Sequence, residues 1–333
     1  MPIALPAGLP AQRSLLEEGV EILGGDELRR RGDPLRICLV NLMPNKTVTE
    51  TQIARLLGGA SVPVALTLCV PDSYRSKTTP AAHMAAFYRP WSRIRDDRFD
   101  GLIVTGAPVE TLPFEKVAYW SDLCAIFDWA RSRRIHGFHI CWAAQAALYH
   151  AHDVPKHRLP AKMFGVFGHR RAPVDSRLLG GFGEEFPVPV SRHTEVRAAD
   201  LPAAAGLSML AVSAEAGLCL VEDRGNRAVY MFNHLEYDAE TLGEEFRRDR
   251  LAGKPIDVPR NYFPDDDPER PPVNRWRPYA DLLFANWLGE ICHAAGHHLL
   301  GEPPVARPLR CARGERSASP GPWSASAGIA AAR

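Results

Sequence analysis

One cysteine and one histidine–glutamate pair stand where they could do covalent chemistry. Cys141 lies at the joint between an apolar run, 135–140, and the Ala-rich run from Trp142 to Leu148. The first reads as a short buried strand, the second as a helix. A strand that turns directly into a helix lifts the joint residue above the sheet and aims the helix's first free N–H groups at it. Those groups and the helix dipole stabilise a thiolate. The plainer alternative is a buried small hydrophobe, the usual fate of a lone cysteine. His234 and Glu236 close the apolar run 228–232 as His-x-Glu. Residues two apart on an extended backbone face the same side. The imidazole can then serve as base and the carboxylate as its orienter. A lone His-x-Glu is common by chance. Following a strand–Cys–helix joint by roughly 90 residues, it gives the order Cys…His-x-Glu of the class I glutamine amidotransferase superfamily.

The elements that must position these groups are legible as alternation. Strands are expected at 35–43, 62–70, 99–105 and 135–140, with helices at 47–57, from Pro80, and at 116–133. Thr47 is placed as an N-cap with Glu50 completing a capping box. Alternating strands and helices indicate a mainly parallel sheet with helices on both faces. Ligands bind such sheets at the carboxyl ends of the strands. That edge gathers Pro44-Asn45-Lys46, the loop 106–111, and Cys141. The second half carries shorter strands near 163–168, 207–212, 217–222 and 227–232, then helices at 239–251 and 278–293 around a Pro- and Asp-rich loop, 257–272. The division expected is a leader over 1–34, a catalytic domain over 35–300 and a disordered tail over 301–333, where small and polar residues dominate.

Composition bounds the function. The 333 residues are 46% hydrophobic with a formal charge of +1, which argues against general affinity for nucleic acid or an anionic membrane. No apolar run approaches the roughly 18 residues that span a bilayer, and the first residues lack a signal-peptide pattern. Seven cysteines without a C-x-x-C pair suit reduced thiols in a cytoplasm better than a disulfide framework. His150 with His152, and His293 with His297 and His298, have no Cys or acidic partner nearby in sequence. Surface histidines, and no metal, are therefore expected.

Several motifs in one order carry a closer resemblance: Asn41-Leu42-Met43-Pro44, the run 99–108 ending Gly106-Ala107-Pro108, Val117-Ala118-Tyr119-Trp120, the run 141–148, and His234-Leu235-Glu236-Tyr237-Asp238. Asn261-Tyr262-Phe263-Pro264 and the run 282–288 extend it to about residue 290. Together they resemble the homoserine O-acyltransferase family of methionine biosynthesis, the homoserine O-succinyltransferase (transsuccinylase) type. The resemblance implies an α/β fold of class I glutamine amidotransferase type, with flavodoxin-like layering. It implies acyl transfer from a coenzyme A thioester to the hydroxyl of L-homoserine, with no cofactor besides the co-substrate, and a homodimer. By it, Cys141 carries the acyl group, His234 is the base and Glu236 its orienter, while Lys162, Ser191 and Arg248 fall on substrate-binding positions. Glu110 falls where Gly accompanies succinyl-CoA and Glu accompanies acetyl-CoA, which makes acetyl-CoA the expected donor. Leu235 departs from the Pro that many members carry between His and Glu.

The chemistry agrees with these residue types. Acyl transfer between thioester and thiol is nearly isoenergetic, so no nucleotide activation is needed. A neutral His234 within hydrogen-bond reach can then take the acceptor's proton. The Arg248 guanidinium fits an α-carboxylate bidentately. Trp142 N–H is placed as an oxyanion donor, with Lys46 as a second. Succinyl transfer, or serine as acceptor, are the alternatives on the same scaffold. A glutamine amidotransferase-like hydrolase is a third, but it would normally carry Gly where His139 and Ala143 stand.

Overall fold

The structure, a computed structural model, describes residues 2–295. Strands β1 (Pro2–Ala4) and β2 (Glu21–Ile22) flank helix α1 (Ala11–Glu17), and α2 (Gly25–Arg30) leads into β3 (Leu35–Val40). Then follow α3 (Lys46–Leu57), β4 (Val64–Val70), α4 (Ala81–Phe87), β5 (Tyr88–Pro90), β6 (Gly101–Val104), α5 (Trp120–Ser132), β7 (His136–Ile140) and α6 (Trp142–His152). The second half supplies β8 (His157–Arg171), β9 (Glu185–Glu195), β10 (Leu207–Ser213), β11 (Gly217–Asp223), β12 (Ala228–Met231), α7 (Thr241–Leu251) and α8 (Arg277–Ala295).

The strands join in one sheet, ordered β2-β1-β4-β3-β6-β7-β12-β11-β10-β8-β9, with β5 also pairing β4. Neighbours are parallel from β2 to β12 and antiparallel from β12 to β9. This is the expected α/β architecture. Along β3, Ile37 and Leu39 pack with Ile53 and Leu57 of α3 and Phe284 and Trp287 of α8. Cys38 and Val40 pack on the other side, with Leu123 and Ile126 of α5 and Ala144 and Leu148 of α6. A strand covered on both faces reads as a near-continuous apolar run, and β3, apolar but for Arg36, is visible in sequence for that reason.

Three expectations need correction. Residues 1–34 are not a separate leader: β1 pairs with β4 as well as β2, and Ile3, Leu9 and Leu15 are buried in the main core. Their apolar residues are too sparse, and β1 and β2 too short, to register as periodic runs. The strand β9 was not expected because Pro187 and Pro189 interrupt its pattern. It lies at the sheet's edge, where a missing N–H costs no ladder bond. Finally, Asn45 rather than Thr47 caps α3, its side chain accepting from Val48 N. Glu50 is fully buried and accepts from Tyr88 Oη at 2.6 Å.

The expected tail over 301–333, which includes Cys311, lies outside the described residues, as do His297 and His298 ahead of it. Among the described residues no helix is long and apolar enough to cross a membrane.

Candidate active site

β7 ends at Ile140 and α6 begins at Trp142, so Cys141 alone makes the turn. Its φ of 54° and ψ of −117° are unusual for a residue with a side chain, a strain of about 1–3 kcal/mol that surrounding structure must hold. Its N–H donates to Met231 O at 2.7 Å, tying the turn to the end of β12. The first-turn amide of Trp142 precedes any i−4 carbonyl and is free to meet a developing oxyanion. The loop after β6 passes close by: a methyl group on Gly106 would sit 3.2 Å from Cys141 Cβ and 3.7 Å from its Sγ.

His234 leaves β12 with its N–H bonded to Pro189 O of β9 at 2.9 Å. Nδ1 meets Glu236 Oε1 at 2.6 Å, leaving Nε2 for the sulfur. Tyr237 stacks on the imidazole at 4.1 Å and 14°. Burial alone would lower the His234 pKa, but the charges of Glu236 and Cys141, with hydrogen bonds to both, drive it well above the ordinary value. The imidazole thus stands between the Glu236 carboxylate and the sulfur, both of which favour its protonated form.

These groups open on a cavity of about 570 Å³ at the carboxyl edge of the sheet. Lys162, Ser191, Arg248 and Glu110 all line it. The first three converge on a residue that sequence reasoning missed, Glu245 of α7. Its Oε1 accepts from Lys162 Nζ at 2.7 Å and its Oε2 from Ser191 Oγ at 2.9 Å, while Arg248 Nη2 lies 3.8 Å away. The i, i+3 spacing of Glu245 and Arg248 was the available signal, but a run so rich in Glu and Arg reads as a solvated helix face. Glu110 turns its Oε2 to the N–H of His193 at 2.8 Å.

Lys46 is the exception. It does not line the cavity: the residue is 1% exposed, and its ammonium turns to the carbonyls of Asn41 and Met43 and to Tyr74 Oη. Burial pulls its pKa down to about 7, against the opposing pull of Glu50. With its protons spent on those oxygens, it braces the loop after β3 and is not the second oxyanion donor.

Among the described residues no cluster of three or more metal-ligating side chains occurs. The His150 ring nitrogen Nε2 lies 3.0 Å from Asp128 and that of His152 lies 2.7 Å from Asp223, each a hydrogen-bonded contact to one carboxylate.

A family model described as homoserine O-succinyltransferase matches residues 2–296. The homoserine O-acetyltransferase of Rhizorhabdus wittichii is 50% identical over 321 residues, covering 94% of this chain and 100% of that one. Those of Hyphomonas neptunium and Brucella melitensis are each 51% identical, covering 87% of this chain and 95% of theirs. Among solved structures, a glutamine amidotransferase from Thermotoga maritima superposes with a TM-score of 0.51 at 13% identity, covering 78% of this chain and 98% of that one. One from Methylobacillus flagellatus gives 0.50 at 16% identity, covering 77% and 94%. These two likenesses concern the fold.

Proposed function

The chain belongs to the homoserine O-succinyltransferase family, and we propose that within it this member is a homoserine O-acetyltransferase working through an acetyl-thioester on Cys141. One observation carries the reading: strained Cys141 and Glu236-bound His234 open on the same cavity as Glu110 and Glu245.

In the first half-reaction the Cys141 sulfur anion attacks the thioester carbonyl of acetyl-CoA. The oxyanion is met by Trp142 N–H. The C–S bond to coenzyme A breaks, and the departing thiolate takes the proton held on His234. The imidazole is now neutral and the sulfur uncharged. In the second half-reaction Nε2 removes the proton from the homoserine hydroxyl, whose oxygen attacks the acetyl-thioester. Cys141 leaves as the anion and the imidazolium is restored. Glu236 holds the ring's tautomer in both steps.

The Glu245 cluster supplies what an amino acid needs: a carboxylate for its ammonium, and Arg248 with Lys162 for its carboxylate. This supports homoserine as acceptor. The acetyl donor is supported by Glu110, whose volume and charge in a partly desolvated cavity disfavour a succinyl tail. The names carried by relatives at half identity point the same way. The proposed setting is the cytoplasm, and the six cysteines among the described residues are all unpaired; a homodimer is the expected assembly.

Steady-state kinetics with two donors and two acceptors test the assignment. Acetyl-CoA should exceed succinyl-CoA, and homoserine should exceed serine, by about tenfold or more for the missing methylene. Succinyl-CoA turning over faster would move the enzyme to the succinyl side of its family; serine ahead would move it to a different pathway. Glu110→Gly should reverse the donor preference, chiefly by admitting succinyl-CoA. An unchanged donor ratio in that variant removes Glu110 from the selection.

A further inference from the structure

Glu110 is fixed at both ends, and only one end is explained by the loop that carries it. At the main-chain end, Lys156 gives its ammonium to the carbonyls of Glu110 at 2.6 Å and Leu112 at 2.5 Å, lying 4.1 Å over the Phe114 ring. At the carboxylate end, Oε2 accepts from His193 N and lies 3.2 Å from the Thr194 hydroxyl. That hydroxyl also lies 2.9 Å from Gln145 Oε1, and Gln145 Nε2 donates to Thr194 O at 3.3 Å. The Thr194 carbonyl takes a further bond from Arg192 Nη1 at 2.8 Å.

Thr194 and Gln145 are 2% and 1% exposed, so the bonds between them are shielded from water, while the Glu110 carboxylate that Thr194 holds is partly exposed at the cavity wall. The hydroxyl has one proton and two acceptors in reach, Glu110 Oε2 and Gln145 Oε1, and can donate to either. Gln145 stands one turn into α6, its own N–H bonded to Cys141 O at 3.3 Å. It is the polar member of an otherwise apolar stretch, Trp142 to Leu148, and both of its amide bonds go to Thr194. A short chain of side chains therefore runs from the helix of the nucleophile to the carboxylate that faces the acyl group.

We propose that Thr194, backed by Gln145, is a positioning residue for acyl-donor choice, holding the Glu110 carboxylate in register with Cys141. The inference rests on the acetyl-donor reading above. It explains why the carboxylate stays on the cavity wall instead of swinging into solvent, where a succinyl tail could displace it. A buried hydroxyl that served the fold alone would lower turnover of both donors in proportion and leave their ratio alone.

The test is the ratio of kcat/KM for succinyl-CoA to that for acetyl-CoA, measured in the full-length enzyme. Thr194→Val keeps the side-chain shape and leaves Glu110 with the His193 bond alone. The ratio should rise about tenfold, the scale of one lost hydrogen bond to a charged group. Thr194→Ser should restore the parent ratio, and Thr194→Val combined with Glu110→Gly should match Glu110→Gly alone. If Thr194→Val does not fold, Thr194→Ala carries the same comparison. A ratio that stays at the parent value while both activities fall overturns the inference, as does a double variant that shifts the ratio additively. The parent's own ratio decides the donor reading separately, because the inference is judged on the change between parent and variant.

Discussion

Cys141→Ala should lower kcat/KM for acyl transfer by about four orders of magnitude or more, the scale seen when a covalent nucleophile is removed. The size follows from the two-step route. Without the sulfur there is no acyl carrier, and the homoserine hydroxyl would have to attack acetyl-CoA directly, with both bound at once. Only the oxyanion contact and substrate positioning would remain. The loss should not come from unfolding. Cys141 is held by its backbone bond to Met231 and by the elbow between β7 and α6, and alanine can occupy the same backbone. Far-UV circular dichroism and the thermal midpoint should therefore stay near the parent's. Substantial transferase activity in the purified variant would remove the acyl-enzyme from the mechanism.

His234→Asn should cost nearly as much, about 10³- to 10⁴-fold in kcat/KM, and Glu236→Gln roughly ten- to a hundredfold less than that. The base moves a proton in each half-reaction, whereas its orienter acts through it. The pH profile separates the two roles. In the acyl-enzyme, His234 must be neutral to accept the homoserine proton, so acyl transfer rises with pH through the His234 titration. The Glu236 charge is one of the causes that raise this pKa. Removing it lets the neutral ring form at lower pH, so the acid limb of acyl transfer in Glu236→Gln should move down in pH even as the plateau falls. An acid limb that moves up, or a His234→Asn variant as active as the parent, contradicts the assignment.

The parts of the fold and site that were legible in sequence share a physical reason. β3, β6 and β7 are covered on both faces, so each is mostly apolar, broken only by Arg36 in β3 and by His136 and His139 in β7, and the nucleophile sits where β7 meets an Ala-rich helix. His234 and Glu236 were found as His-x-Glu closing an apolar run; the structure places them just past β12, in a turn and not on an extended strand, and still joins them through Nδ1 and Oε1 at 2.6 Å. The parts that were not legible depend on contacts across long sequence separations. Glu245 is an ordinary acidic residue on α7 until Lys162 and Ser191, far earlier in the chain, are folded against it. Thr194 acquires meaning only through Gln145 and Glu110. Lys46 was misplaced because its position beside the cavity loop is right while its direction is wrong. The Asn41 and Met43 carbonyls and the Tyr74 hydroxyl compete successfully for its protons, and nothing in the local sequence announces them. β9 was hidden by prolines that only an edge strand tolerates.

The central claim, an acyl-enzyme on Cys141, is tested most directly by intact-protein mass after mixing the enzyme with acetyl-CoA in the absence of homoserine. The account predicts a gain of one acetyl group per chain, located at Cys141 by peptide mapping. One equivalent of free coenzyme A should be released with it, and the mass should return to the parent's when homoserine is added. An enzyme that remains unmodified under these conditions yet turns over fully once both substrates are present would contradict it, and would point to direct transfer within a ternary complex.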